Sequence, residues 1–390
     1  MILMWLGSFV LMMFGLTESQ KHAAAFFANL QKNFFEKGFE VSTAKMFVRT
    51  LDVVVLEASP QRSLYTGLAL YNLRILSLRA SNLIMCLSTL GAWWVLILGL
   101  LFLSFNGFFL LGLCALGLIG MWKAPKAKLL LKWVFVTGVF LIGGETMLRN
   151  STVVQTILGQ SDLAFFLADG RFGAVLGILI ASIVMSFIVQ VEFWSLALAL
   201  SLLLTNTLSF NGALALVAGE RIARMLLFWW RSRSLNQDCR RIGFQLSMVS
   251  ILGVLIGFLV AGEARNLFYL GFSSDLSSFQ DKSLQFVMLF AVILVFQFIA
   301  QMVWGHFGSL AKVDELQDAK YFPASWMEFE LLSPHAMTWA KDKVHKRLSE
   351  IRYHLQGLHS LKEGQVPEHI QARLKLEEQQ LAALDQSLKV

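Results

Sequence analysis

The chain has 390 residues, of which 56% are hydrophobic and 15% charged, with a net charge of +7, 33 Phe and 5 Pro. Soluble domains carry about 25% charge and roughly 45–50% apolar residues, so the composition excludes a water-soluble globular enzyme, a disordered scaffold and a disulfide-built secreted domain. The apolar residues come in blocks of about 15–25 rather than in alternation, which predicts a polytopic all-α membrane protein and not a barrel.

Residues 1–16 are apolar from Met1 onward with no basic stretch before them, and read as a short membrane helix rather than a cleaved leader. Residues 18–38 are amphipathic, with Phe26, Phe27, Phe34 and Phe35 among Lys21, Lys32 and Lys37. Residues 41–73 make two half-length apolar pieces meeting at Glu57-Ala-Ser-Pro60. Long apolar helices are expected at about 81–104 and 107–122, before the basic loop Lys123-Ala-Pro-Lys126-Ala-Lys128.

The second half repeats this order. Residues 129–148 are apolar, 151–168 amphipathic, 172–209 two apolar pieces meeting near Gln190-Val-Glu192, and 213–230 a long segment. A basic loop with Arg231, Arg233, Arg240 and Arg241 precedes a further apolar run at 242–262. The reading is therefore a membrane repeat at 1–122, a second at 129–262, an additional transmembrane helix at 283–305 and a polar tail at 307–390.

Orientation follows from the basic loops. Residues 1–306 hold 22 Lys and Arg against 14 Asp and Glu, and such an excess in short loops marks the cytoplasmic side. With both basic loops inside and 41–73 re-entrant, the two repeats run in opposite directions through the bilayer and the tail is cytoplasmic. Two full spans in 41–73 would instead make the repeats parallel. Inverted repeats with broken helices at matching places point to a transport site near the midplane, here at Glu57–Ser63 and Ser186–Glu192.

Several stretches carry a resemblance. Phe172-Gly-Ala-Val-Leu-Gly177, Leu208-Ser-Phe-Asn-Gly-Ala-Leu-Ala-Leu-Val-Ala-Gly219 and Arg240-Arg-Ile-Gly-Phe-Gln-Leu-Ser-Met-Val-Ser250-Ile-Leu-Gly253 are similar to the second repeat of the bacterial sodium/phosphate cotransporters. Ile75-Leu-Ser-Leu-Arg79 and Ser88-Thr-Leu-Gly91 stand at the corresponding spacing in the first repeat. Tyr321-Phe-Pro-Ala-Ser-Trp-Met-Glu-Phe-Glu-Leu-Leu-Ser-Pro-His-Ala336 resembles the approach to that family's PhoU-like helical tail. The family's hairpin tips read Gln-Ser-Ser-Ser, whereas this chain has Glu57-Ala-Ser-Pro-Gln61 and Met185-Ser-Phe-Ile188.

The resemblance implies alternating-access transport of phosphate or another small anion across a bacterial inner membrane, with sodium as coupling ion and no other cofactor. The ligands it implies are Glu57, Ser59, Gln61, Ser63, Ser88, Thr89, Gly91, Ser186, Gln190, Glu192, Gly219 and Ser250. The alternative is a member that has lost transport and serves as a membrane scaffold or regulatory subunit. No Gly-rich phosphate loop, nucleophile elbow or zinc-protease motif is present, so no enzyme is expected.

Charges inside apolar runs are costly and need a partner or water. Asp52, Glu57, Glu145, Glu192, Glu220, Arg221 and Arg224 are such charges. Glu220 and Arg224 have the spacing of a helical ion pair. Arg221 and Arg224 otherwise read as an extension of the basic loop, and Glu57 and Glu192 either as ion or proton ligands or as groups at interfacial turns or in structural pairs.

Cys86, Cys114 and Cys239 stand apart from one another and from histidines, which indicates neither zinc nor a disulfide frame. No basic run carries the interleaved aromatics of a nucleic-acid surface. In the tail, Ser333-Pro334 starts a helix to about Gln356 and Pro367 a second one, each with an apolar stripe. That hairpin is expected to bind a protein partner or a second copy of the chain through residues 330–390.

Overall fold

The computed structural model describes residues 2–26, 59–72, 78–92, 128–150, 166–204, 206–233, 237–271 and 279–308, with single residues and short stretches elsewhere. All regular structure among them is helical. In chain order the helices are α1 (Ile2–Phe26), α2 (Pro60–Asn72), α3 (Leu78–Leu87, continuing as a 3-10 turn over Ser88–Ala92), α4 (Lys128–Arg149), α5 (Phe172–Ile188), α6 (Trp194–Leu204), α7 (Phe210–Ser232), α8 (Gln237–Gly271) and α9 (Phe279–Gly308).

Three stretches are long and apolar enough to cross a membrane: Leu130–Met147 in α4, Gln237–Ala264 in α8 and Leu284–Gly305 in α9. At 1.5 Å rise per residue, the 22 residues of the last extend about 33 Å, against a hydrocarbon core of about 30 Å. Their outward faces are apolar as well. Leu252, Leu255, Ile256 and Leu259 on α8, and Met288, Val295, Ile299 and Val303 on α9, are exposed. In water such faces would be a liability, while in lipid they cost nothing.

Packing between helices uses small residues to bring backbones together. α8 lies along α9, α1 along α4, and α5 along α7. A Cβ at Gly253 would fall 2.7 Å from Ala300 Cβ, and one at Gly257 would fall 2.9 Å from Ile293 Cα. The Gly253-x-x-x-Gly257 spacing is thus the contact surface of α8 on α9.

The central helix is α7. It touches α2, α5, α6, α8 and α9, and its buried residues run nearly without break from Phe210 to Phe228. It starts at Ser209, whose hydroxyl accepts from Gly212 N–H at 3.1 Å, a standard N-cap.

Several sequence expectations need correction. α1 runs unbroken through the expected boundary at 17, because no residue there favours a turn over the helix. The long helix expected at 81–104 instead starts at Leu78 and tightens into a 3-10 turn at Ser88. The second interruption lies at 189–193, where the two apolar pieces are expected to meet, while the part of the expected tip at Ser186–Ile188 is still helical as the end of α5. Phe187 and Ile188 are exposed on that helix while Ser182 and Ser186 are buried, so the apolar residues of this stretch face outward. Glu57, Asp52, Trp93, Trp94, the loop 123–127, most of 151–168 and nearly all of the 307–390 tail lie outside the described residues.

Candidate functional site

The N-terminus of α2 and the turn between α5 and α6 converge. Ser59 precedes α2 and its hydroxyl accepts from Arg62 N–H at 3.2 Å, with Pro60 at the first helical position. The same hydroxyl donates to Glu192 Oε2 at 2.7 Å, and Gln61 N–H donates to Glu192 Oε1 at 2.8 Å. A carboxylate from the 189–193 turn therefore sits on the N-terminus of α2, where unpaired N–H groups and the helix dipole favour an anion.

The second interrupted helix is held in the same way. Phe193 N–H donates to Glu220 Oε1 at 2.6 Å, and Ser195 N–H donates to Glu220 Oε2 at 3.2 Å. The Ser195 hydroxyl also donates to that carboxylate. Each N-terminus next to an interruption, that of α2 and that of α6, is thus filled by an internal carboxylate. Phe193 adopts φ 63°, a left-handed conformation that is strained for a bulky side chain. Glu220 on its N–H and Arg221 over its ring, 4.2 Å from the centroid, hold it there.

Two guanidinium groups complete the cluster. Arg224 lies 3.5 Å from Glu220 Oε1, and it donates to the Val189 carbonyl at 3.3 Å, to the Val191 carbonyl and to Gln61 Oε1 at 3.4 Å. Its Nε has no hydrogen-bond partner, and neither does Nη2 of Arg221. Both side chains are buried, at 2% and 3% exposure, so the reading of them as an extension of the basic loop is wrong. The expected Glu220–Arg224 ion pair is present. Glu192, at 8% exposure, lies in the turn as a buried cap held by Ser59 and Gln61.

A polar chain leads outward from this cluster. Gln61 Nε2 donates to the Tyr65 hydroxyl at 3.4 Å, Arg231 stacks over the Tyr65 ring at 5.3 Å, and Arg231 reaches Gln190 Oε1 at 3.5 Å. Gln190 is exposed and makes no contact with the carboxylates, so it belongs to the rim rather than to the centre.

The remaining expected residues stand apart from the two carboxylates. Ser63, buried, donates to the Ser59 carbonyl at 3.2 Å and stabilises the first turn of α2. Ser186 accepts from Trp194 Nε1 at 3.1 Å and donates to the Ser182 carbonyl at 2.7 Å, bridging α5 to the start of α6. Thr89 donates to Gln301 Oε1 at 2.6 Å, and Gln301 Nε2 donates to Ser250 at 3.1 Å. These link the 3-10 turn, α9 and α8 in a buried polar string.

Beside that string the buried Oγ of Ser88 and Oε1 of Gln297 have no hydrogen-bond partner. Gly91 joins the two regions, since a Cβ there would lie 3.1 Å from Ser59 C and from Pro60 N. Gly219 is a packing residue, not a ligand: its Cβ would fall 2.6 Å from the Leu179 carbonyl oxygen.

Sequence reasoning placed Ser59, Gln61 and Glu192 together but left Glu220, Arg221, Arg224 and Ser195 out of the site. The charges inside an apolar helix were the signal for the first three. Gln297 and Gln301, one turn apart in α9, were legible for the same reason. Among the described residues no group of three or more His, Cys, Asp or Glu is gathered closely enough to hold a metal ion. Comparison of the chain with protein-family models, curated proteins and solved structures found no match.

Proposed function

We propose that the chain is a bacterial inner-membrane transporter that moves phosphate or another small anion by alternating access at the α2–α6–α7 cluster. One observation carries this reading: Arg221 and Arg224 are buried, keep unfilled N–H groups, and stand beside two helix N-termini at chain interruptions. Unfilled, desolvated guanidinium N–H groups are strong donors for tetrahedral oxyanions. Broken helices with ends at a shared site are the arrangement through which transporters bind charged solutes. The inverted-repeat reading and the cytoplasmic tail belong to the same proposal. Binding of labelled inorganic phosphate to the purified full-length protein tests it, with loss of binding in Arg221→Gln as the expected result.

A second reading has an observation of its own. Both helix N-termini are already filled by Glu192 and Glu220, so neither helix end needs a ligand. A transport-inactive membrane scaffold would need nothing more. Absence of anion binding and exchange, together with a stably co-purifying protein, supports that reading instead.

A further inference from the structure

We infer that Glu192 carries a coupling proton, so that the anion crosses with H+. The inference rests on the anion-transport reading above and specifies its coupling ion.

Charge balance is the starting point. Glu192, Glu220, Arg221 and Arg224 are all buried, and together they are neutral as two carboxylates and two guanidiniums. An anion added to this cluster leaves a net negative charge in a low-dielectric interior, which is costly. One proton on Glu192 restores neutrality for a monovalent anion and halves the excess for a divalent one.

The two carboxylates are not equivalent as proton acceptors. Glu220 is in contact with Arg224 and accepts from two backbone N–H groups and a hydroxyl. Glu192 has only neutral donors in direct contact among the described residues, the Ser59 hydroxyl and the Gln61 N–H. The other titratable or charged side chains on the elements packed around it are Glu220, Arg221, Arg224 and Arg231 on α7, and Arg62 and Tyr65 on α2. Of the two carboxylates, only Glu192 can leave its donors without breaking an ion pair.

Geometry connects the proton to the anion. Glu192 occupies the donors at the α2 N-terminus that an oxyanion would use, within electrostatic reach of Arg221. As the free acid it no longer competes for those donors, and the Gln61 N–H and Ser59 hydroxyl pass to the incoming anion. When the anion leaves on the other side, the proton dissociates and the carboxylate returns to the helix end. The chain Gln61, Tyr65, Arg231, Gln190 gives the cluster a polar route to one surface.

The test uses full-length protein in proteoliposomes with labelled phosphate, and with sulfate as a probe whose charge is constant near neutrality. In the absence of sodium, an inward proton gradient drives accumulation by the wild type, and adding anion alkalinises the outer medium. Glu192→Gln lowers gradient-driven accumulation by at least about tenfold. Accumulation that needs a sodium gradient and ignores the proton gradient overturns the inference and leaves the anion reading standing. Failure of the wild type to bind or exchange either anion overturns both. The wild-type measurements decide the matter even if Glu192→Gln does not fold.

Discussion

The hydroxyl of Ser59 donates to the carboxylate of Glu192 at 2.7 Å, across 133 residues of chain, in a buried contact. This bond ties the start of α2 to the turn between α5 and α6. It also places a negative charge where the helix end is most electropositive.

Removing that carboxylate exposes its dependence on the two donors. Glu192→Ala leaves the Gln61 N–H and the Ser59 hydroxyl without their acceptor, at a cost of about 1–3 kcal/mol for each buried group. Glu192→Gln retains a carbonyl oxygen and costs less. Thermal unfolding in detergent should rank wild type above Glu192→Gln and Glu192→Ala lowest. Equal midpoints for the two variants would contradict the capping role.

The Glu220–Arg224 pair offers a sharper energetic test. Arg224→Gln strands a buried carboxylate, and breaking a buried pair from one side costs about 3–5 kcal/mol. The double variant Glu220→Gln/Arg224→Gln has no stranded charge and should recover part of the loss. A denaturation double-mutant cycle should give a coupling energy above about 1 kcal/mol. Strictly additive single effects would mean that the two groups act independently.

Gly91 explains why the 3-10 turn comes so close to Ser59. In Gly91→Leu a branched side chain must enter a gap whose Cβ position is already 3.1 Å from Ser59 and Pro60 backbone atoms. Overpacking of this kind costs about 1–3 kcal/mol. The same substitution at Gly7, where nothing lies within 4 Å, should be neutral. Paired melting curves of the two variants test the contrast.

Much of this fold was legible because lipid-facing helices announce themselves by length and hydropathy. α4, α7 and α9 fall within a few residues of their expected positions, and α8 contains its expected run at 242–262 but extends nine residues beyond it. The site was harder to read. Ser59, Gln61 and Glu192 stood at visible breaks, yet nothing local to Glu192 says that it caps a helix 130 residues away. Arg221 and Arg224 lie ten or fewer residues before Arg231 in chain, so a basic loop accounted for them equally well. Only their burial against Phe193 and the 189–193 carbonyls removes them from it. The apolar residues of Met185–Ile188 misled for the opposite reason, since a helix can turn Phe187 and Ile188 outward and keep Ser186 inside.

Topology gives an independent check on orientation. The exposed Gln190 sits at the rim with Arg231, beside the basic loop that the transport proposal places in the cytoplasm. Cys86, Cys114 and Cys239 are buried and free, so a Gln190→Cys variant should present the one fast-reacting thiol among these four. An impermeant maleimide should label it in inside-out vesicles and not in intact spheroplasts. The reverse pattern would place the basic side outward.

The most direct measurement of the central claim is counterflow exchange of labelled phosphate and sulfate in proteoliposomes, comparing the wild type with Arg221→Gln and Arg221→Lys. The account predicts exchange by the wild type, loss of at least about tenfold in Arg221→Gln and partial retention in Arg221→Lys, which keeps the charge but not the guanidinium fork. Exchange at wild-type rates by Arg221→Gln, or no exchange by the wild type, would contradict it.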